Sequence, residues 1–371
     1  MSFEPHNVCI TGGAGFIGAN FVRHWLSQRR EGRVVVLDAL TYAGNLENLH
    51  GLERDPRYEF VKGDICDEAA VTELLASRRI DTLVHFAAES HVDRSILGPD
   101  DFIRTNVVGT HALLKAAKSV WLDRKMAPAH RFHHVSTDEV YGSLGAGDPP
   151  FHESTPYAPN SPYSASKAAS DHLVRAYRET YGLDTTVTNC SNNYGPYQFP
   201  EKLIPLTLIH ILQGKRLPVY GDGLQVRDWL HVADHCEAIW LALTRGTSGE
   251  VYNIGGNSET TNIEVVRTLC ALVDEAVAGR AELKAAHPGA PAAQGRPASG
   301  LIEYVRDRPG HDRRYAIDYR KAQREIGYSP TRDLKGGLRA TLEWYLGNRG
   351  WWEALMGRDY SNWLKLNYKS T

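Results

Sequence analysis

The sequence predicts an α/β protein: a doubly wound parallel sheet followed by a smaller, less regular unit. Three observations carry this. Short apolar, β-branched runs alternate with helical spacings through the first half, and a glycine cluster joins the first run to the first helix. After Tyr194-Gly195-Pro196 the texture breaks into shorter elements punctuated by proline and glycine.

Taken in order, residues 8–11 read as a strand ending at glycines, and 16–28 as a helix. Residues 33–37 (RVVVL) form a continuous apolar strand closed by Asp38, and 58–62 and 82–86 are two more strands. Between these last two, 67–77 reads as a helix capped by its own Asp67. Helix 102–122, strand 132–136, helix 163–181 and strand 185–191 complete the half. Continuous apolar runs imply strands buried on both faces, and intervening helices of this length imply right-handed parallel crossovers. The first unit is expected over 1–194 plus a returning segment near 228–256, and the second over 195–227 and 257–371. The Ala-, Pro- and Gly-rich stretch 278–300 reads as a solvated loop or a loosely packed insertion.

Composition excludes several function classes. The 371 residues carry 42 basic and 44 acidic side chains, a net charge of −2, so there is no basic footprint for nucleic acid or anionic membrane. Apolar residues at 42% and charged residues at 23% are ordinary for a folded globular protein. The five cysteines (Cys9, Cys66, Cys190, Cys236, Cys270) are scattered and odd in number, which argues for reduced thiols and against a disulfide framework or zinc site. The N-terminus lacks the basic and apolar regions of a signal peptide, and no window has 18 uninterrupted apolar residues. The expectation is a soluble cytoplasmic enzyme without a metal.

The segment Thr11-Gly12-Gly13-Ala14-Gly15-Phe16-Ile17-Gly18 satisfies G-x-G-x-x-G through Gly13, Gly15 and Gly18. It lies between a strand and a helix, where glycine permits the tight turn and close backbone approach that a pyrophosphate needs at a helix N-terminus. Asp38 follows Gly18 by twenty residues at the end of the next strand, placed to accept from a ribose 2′-hydroxyl, so NAD is favoured over NADP. Out of this context the same residues fit a tight structural turn with a capping aspartate. Asp64, ending the third strand, reaches either the adenine side or the start of the next helix.

Tyr163 and Lys167 stand at i and i+4, one turn apart on a helix opened by Ser161-Pro162. A tyrosine titrates near ~10, so it needs a neighbouring cation to act as a base, and Lys167 is expected to lower its pKa. Thr137, Asp138 and Glu139 follow the strand 132–136 directly, at the carboxyl edge where a ligand would lie. Two carboxyls in one closed site do not both ionise: one stays a proton donor while the other serves as base, which suits elimination of water. The alternative is a solvated turn with Asp138 as cap and Glu139 on the surface.

With these residues in view, the chain resembles the extended short-chain dehydrogenase/reductase family and, within it, the dTDP-glucose 4,6-dehydratases. The resemblance rests on TGGAGFIG, YAGN, AAESHVDRSI, HVSTDEVYG, SPYSASKAASDHLVRAY, SNNYGPYQFPEKLIP, LPVYGDG, VRDWL, YNIGG and DRPGHDRRYAID, running almost end to end. The segment between Gly142 and Glu153 is short for the family.

The resemblance implies that Tyr163, helped by Lys167 and Thr137, takes the sugar 4-hydroxyl proton, with Glu139 the C5 base and Asp138 the acid at C6. It implies NAD contacts from Gly12, Gly15, Phe16, Ile17, Gly18, Asp38, Leu40, Thr41, Asp64, Ile65, Ala87, Ala88, Ser90, Thr105, Tyr163, Lys167 and Asn193. It likewise implies a nucleotide-sugar side built by Ser90, Thr137, Asn192, Lys202, Leu203, Pro218, Tyr220, Arg227, Asn262, Asp307, Arg308 and His311. Arg227 suits a diphosphate because guanidinium is a permanently charged planar fork; the alternative is a surface ion pair with Asp222 or Asp228. His231, His235, His133 and His134 lack ligand spacing and are expected to be satisfied structural histidines. Helices 102–122 and 163–181 carry apolar faces that in the wider superfamily form an intersubunit bundle, so the resemblance implies a homodimer; alternatively both faces only cover the sheet. Rival functions are a nucleotide-sugar 4-epimerase, which has no use for Asp138 and Glu139, and a non-catalytic NAD-binding protein.

Overall fold

The computed structural model describes residues 3–307 and 310–356, so the expectation for Arg308 lies outside the described residues. Its strands are β1 (Asn7–Thr11), β2 (Arg33–Asp38), β3 (Tyr58–Lys62), β4 (Thr82–His85), β5 (Arg131–Thr137), β6 (Thr185–Cys190), β7 (Asn192–Tyr194), β8 (Leu217–Tyr220), β9 (Val226–His231), β10 (Val251–Ile254), β11 (Glu259–Thr261) and β12 (Ile302–Val305). Seven form one sheet in the order β10-β6-β5-β4-β1-β2-β3, every pair parallel. This is the doubly wound Rossmann arrangement with one further strand at the β6 edge.

The pleat explains why these strands read as continuous apolar runs. Val8, Ile10, Val34, Val36 and Val84 point to one face, against the Phe16–Gln28 and Val232–Arg245 helices. Cys9, Val35, Leu37, Leu83 and Phe132 point to the other, against the Glu68–Ser77 and Pro162–Tyr181 helices and the helical run 100–123. Asp67 caps its helix as expected, its carboxylate accepting from the Ala70 amide at 3.0 Å. Ser161 and Ser164 form a capping box at the start of Pro162–Tyr181.

The run 100–123 is not a plain α-helix. Ile103–Gly109 and Lys118–Asp123 adopt π-type turns, which propensity does not foretell. The first of these lets Asn106 clamp the strand-end segment. Its Oδ1 accepts from the Glu89 amide at 2.9 Å, and its Nδ2 donates to the Glu89 carbonyl at 3.0 Å and to Ser166 Oγ at 2.8 Å.

Beyond Tyr194, a three-stranded sheet (β11-β9-β7) and a parallel pair (β12-β8) surround a second core. There Ile209, Leu212, Val266, Leu269, Val273, Leu338 and Trp352 pack together. The stretch 278–300, expected as a solvated loop or a loosely packed insertion, is mostly exposed but has regular structure and two anchors in the core. Ala281–Ala286 is helical, Pro291–Gln294 and Ala298–Leu301 are 3-10 turns, and Ala290 and Ala298 are fully buried against the Asn262–Gly279 helix. Small residues here allow close approach: a Cβ at Gly214 would meet the Gly289 carbonyl oxygen at 2.2 Å. Among the described residues no helix is long and apolar enough to cross a membrane, and all five cysteines are free thiols.

Two glycines of the Leu334–Gly347 helix should respond oppositely to alanine. At Gly337 a Cβ would lie 2.1 Å from the hydroxyl of Tyr194, a fully packed ring, so the overpacking loss of ~1–3 kcal/mol outweighs the ~1 kcal/mol helix gain. At Gly347 no described residue lies within 4 Å and only the gain remains. Thermal unfolding should show G337A melting below, and G347A at or above, the parent chain.

Candidate active site

The carboxyl ends of β1, β4, β5 and β6 open onto one continuous cleft of about 1380 Å³, closed from the other side by Pro218, Tyr220, Arg227, Trp229, Asn262 and His311. That volume exceeds the ~300–1,000 Å³ of a one-ligand pocket, so two ligands fit end to end. Among the described residues, every site residue named from the sequence lines this cleft except Leu40 and Asp307. Leu40 packs instead against the apolar core of the sheet, with its amide held by Asp38 Oδ1 at 2.8 Å. Asp307 stands behind the wall, its Oδ1 2.6 Å from His311 Nδ1 and its Oδ2 accepting from Gln225 Nε2 at 2.9 Å.

At one end, the glycine turn is locked by its own backbone. Gly12 has φ +69°, and a Cβ there would meet the Ala87 amide nitrogen at 2.6 Å; a Cβ at Gly18 would meet the Gly12 carbonyl oxygen at 2.3 Å. Gly15 is hemmed only by the Gly12 carbonyl oxygen, at 3.2 Å, and so presents bare backbone to the cleft. The Phe16–Gln28 helix that it opens has no side-chain cap and no acidic residue in its first turn, leaving its positive end free for an anion. Asp38 accepts from the Ala14 and Leu40 amides at 2.9 and 2.8 Å, which fixes its carboxylate at the cleft wall. Asp64 lines the cleft, accepts from the Cys66 amide at 2.9 Å and pairs with Arg104 at 2.7 Å; the cap of the next helix is Asp67 instead. A cradle of this shape fits the pyrophosphate and ribose of NAD.

At the centre, Thr137 ends β5 and its hydroxyl accepts from the Glu139 amide at 3.2 Å and donates to Asp138 Oδ1 at 3.3 Å. Asp138 is 1% exposed and its Oδ2 has no partner among the described residues, whereas Glu139 is half-buried at the cleft. Burial first, then the negative charges of Glu139 and Asp228, push the Asp138 carboxyl well above the usual carboxylate range. The solvated-turn alternative therefore fails for Asp138.

The expectation for Tyr163 needs correcting. Its phenol is raised, not lowered, because burial and the acids Glu139, Cys190 and Asp138 dominate. Lys167 donates its ammonium to the Val135 carbonyl at 2.8 Å, and burial pulls its own pKa down.

Toward the second half, Arg227 is buried. Its Nη1 donates to the Val226 carbonyl at 2.7 Å, its Nη2 to the Asp312 carbonyl at 2.9 Å, and its guanidinium lies 4.2 Å from the Tyr315 ring centre. Burial of Arg227 and Asp228 argues against a surface pair; Arg313 takes Asp222 at 3.0 Å, and Asp228 accepts from the Gly256 and Ser258 amides at 2.8 and 2.6 Å. Lys202 Nζ donates to the Ser90 carbonyl at 3.1 Å. The side-chain oxygens of Asn192 and Asn262 are buried in the wall without partners among the described residues, as expected of groups that meet a ligand. Asn193 spends its side chain internally, on His235 Nδ1 at 2.9 Å and the Ser191 carbonyl at 3.0 Å.

Of the histidines, His133 is satisfied by Thr186 and Thr188, and His231 accepts from the Ala233 amide. Among the described residues His235 Nε2 and His134 Nδ1 have no hydrogen-bond partner, so those two depart from expectation.

The sequence reading missed a second cluster. Glu201, 4% exposed, takes Arg94 Nε at 3.3 Å, and the Arg94 guanidinium stacks 3.9 Å from the Tyr42 ring centre; all three line the cleft. Tyr42 and Glu201 sit within the stretches YAGN and FPEKLIP, but 159 residues separate them and no spacing rule joins them.

Comparison with known proteins agrees with this geometry. The family model described as GDP-mannose 4,6 dehydratase matches residues 9–341. The chain is 54% identical over 355 residues to the dTDP-glucose 4,6-dehydratase of Neisseria meningitidis serogroup B, covering 95% of this chain and 97% of that one. The chain belongs to the dTDP-glucose 4,6-dehydratase family. A member of that family from Streptomyces venezuelae, solved with NAD and thymidine diphosphate bound, superposes with a TM-score of 0.83 at 47% identity, covering 94% of this chain and 99% of that one. UDP-glucose 4-epimerase from Thermotoga maritima shares the architecture at a TM-score of 0.77 but only 27% identity, covering 92% of this chain and 99% of the other.

Since burial raises the Asp138 carboxyl well above the usual carboxylate range, infrared spectroscopy near neutral pH should show a protonated carboxyl stretch that disappears in Asp138→Asn. An unchanged difference spectrum would mean that Asp138 is already ionised.

Proposed function

We propose that this chain is an NAD-dependent hydro-lyase that converts dTDP-glucose to dTDP-4-keto-6-deoxyglucose and water. One observation carries the reading. A buried carboxyl raised well above the usual range (Asp138) and a half-buried one (Glu139) stand in the same cleft as the Tyr163–Lys167 pair. An epimerase would use the pair but has no work for two adjacent acids, and a binding protein has work for neither.

Gly12, Gly15, Gly18 and the helix they open are assigned to the NAD pyrophosphate, Asp38 to its adenosine ribose, and Asp64 to the adenine side. Bound there, NAD takes hydride from C4 of the sugar and returns it to C6, so the cycle is redox-neutral. Tyr163 receives the proton of the 4-hydroxyl as C4 becomes a ketone. Its phenol is held high by burial, so the positive charge of Lys167 on the same helix face is assigned to stabilising the phenolate, the form that accepts this proton.

The ketone acidifies the C5 proton, which Glu139 removes. Asp138 protonates the leaving 6-hydroxyl, which departs as water and leaves a 5,6-ene. After C6 is reduced, Glu139 returns its proton to C5. Each turnover leaves Tyr163 one proton richer and Asp138 one poorer, so the site resets by the equivalent of one proton passing between them.

Ser90, Asn192, Lys202, Arg227, Asn262 and His311 are assigned to the nucleotide sugar, with Arg227 on the diphosphate. The thymidine diphosphate in the Streptomyces relative supports the thymidine base. The chain divides into a cofactor unit, residues 1–194 with 228–256, and a substrate unit made of the rest. Exposed Ile103, Val108 and Tyr181 on the helices 100–123 and 162–181 support a homodimer through those faces, and the five free cysteines support a reducing, cytoplasmic setting.

Mass analysis of dTDP-glucose incubated with the protein should show loss of one water. Unchanged mass with inverted C4 would favour an epimerase, and untouched substrate a binding protein. Glu139→Gln should still oxidise C4, so reduced cofactor absorbance builds up on the enzyme while dehydration slows by about 10²–10⁴-fold. Dehydration at the parent rate would remove Glu139 from the role of C5 base.

A further inference from the structure

Behind the Tyr163–Lys167 pair lies a buried polar cluster that the reaction scheme does not use. Asp171 sits one turn beyond Lys167 on the same helix, 5% exposed. Ser136 Oγ from β5 and the Tyr157 hydroxyl from the loop before the helix both donate to its Oδ2, each at 2.9 Å. Its Oδ1 lies 3.1 Å from His134 Nε2, and that nitrogen is 3.5 Å from Lys167 Nζ. His134 is wholly buried, so the imidazole is wedged between an ammonium and a carboxylate.

We propose that Asp171 is a positioning residue for the reaction: through the His134 wedge it supplies the buried counter-charge that keeps Lys167 charged and in place beside Tyr163. The assignment rests on the dehydratase reading above, but its physics does not. A lone ammonium in a dry interior gives up its proton unless a carboxylate stands nearby, and Asp171 is the carboxylate that supports Lys167.

The other groups facing this pair do not substitute for it. His85, 5.2 Å from the His134 ring, is tied to Thr11 and Thr110 and held neutral by burial. His134 is likewise held neutral by burial and by the Lys167 charge. The Cys190 thiol is pushed up by burial and stays protonated, and His172 is an exposed ring beside Tyr157. Tyr163, Asp138 and Glu139 stand on the substrate side of Lys167 and are consumed in the chemistry. Asp171 is itself poised: burial lifts its carboxyl to about 6, while Lys167 and the two hydroxyl donors pull it back.

Two measurements test this. Competitive acetylation of the purified protein with acetic anhydride across pH, read at Lys167 by peptide mass, reports the ionisation of that amine without any turnover. In Asp171→Asn the midpoint of Lys167 labelling should fall by about 1–3 pH units, since an opposite charge at this range shifts a pKa by that much. The alkaline limb of kcat should fall with it.

Tyr157→Phe lies outside the cleft and removes one donor that holds the Asp171 carboxyl down. It should therefore move the acidic limb of kcat upward by about half a unit to one unit with KM unchanged. If D171N does not fold, this variant alone decides. A parent-like labelling curve in D171N, or a parent-like pH profile in Y157F, overturns the proposal. An equal loss at all pH with an unmoved profile overturns it too, as a merely structural role. If the parent enzyme removes no water from dTDP-glucose, the functional reading fails, and the labelling shift still judges the Asp171–Lys167 coupling.

Discussion

Holding one ammonium group, Lys167, in the dry interior beneath the ends of β5 and β6 is the constraint on which the site depends. A buried cation must be hydrogen-bonded and paired or it neutralises. Here the Val135 carbonyl accepts a hydrogen bond from it at 2.8 Å, His134 stands 3.5 Å away, and Asp171 lies one helical turn on. To place those groups, the Pro162–Tyr181 helix must start where Ser161 caps it and lie along β5, and Asn106 must tie it to the segment after β4. Remove the charge and Tyr163 is only a buried phenol among acids.

Much of this architecture is legible in the chain because its determinants are local. Apolar strand runs, the Asp67 and Ser161 caps and the glycine turn each act within a few residues, so strand and helix positions agree within one or two residues. The cofactor and Tyr/Lys motifs are legible for the same reason: each is a short spacing on one element. What was not legible is long-range. Glu201, Arg94 and Tyr42 meet only after three elements fold together. The π-turn at Ile103–Gly109 serves a clamp made by Asn106 to Glu89 and Ser166, which no helical propensity contains. The stretch 278–300 looked loose because alanine and glycine signal flexibility in isolation. Inside a fold they equally signal close packing, as at Ala290 and Ala298.

The net charge of −2 says nothing against an anionic ligand, because the relevant charges are few and placed. The uncapped start of Phe16–Gln28 faces one end of the cleft and Arg227 the other. Arg227 is oriented by its surroundings. It donates to the Val226 and Asp312 carbonyls and lies over the face of Tyr315, which aims its planar, permanently charged fork at the cleft wall.

The same logic, with sign reversed, separates Asp138 from Glu139. The two are neighbours in sequence and chemically alike, so only environment can divide their labour. A turn of 3-10 helix begins at Asp138, with Thr137 as its cap, and this sends successive side chains in different directions. Asp138 goes inward, to 1% exposure, near Asp228 and with one oxygen unpartnered among the described residues, while Glu139 stays half-buried at the cleft. Each acid also sharpens the difference, since a charge on Glu139 raises the proton affinity of Asp138. Burial, and after it the Glu139 charge, thus favours the neutral form of Asp138, and the two environments differ in the way that the proposed base and acid require. Exchanging the two residues would preserve composition and spacing but would put the shorter carboxylate at the cleft and force the longer one into the interior. For that reason the order Asp-Glu, and not merely the presence of two acids, carries the chemistry.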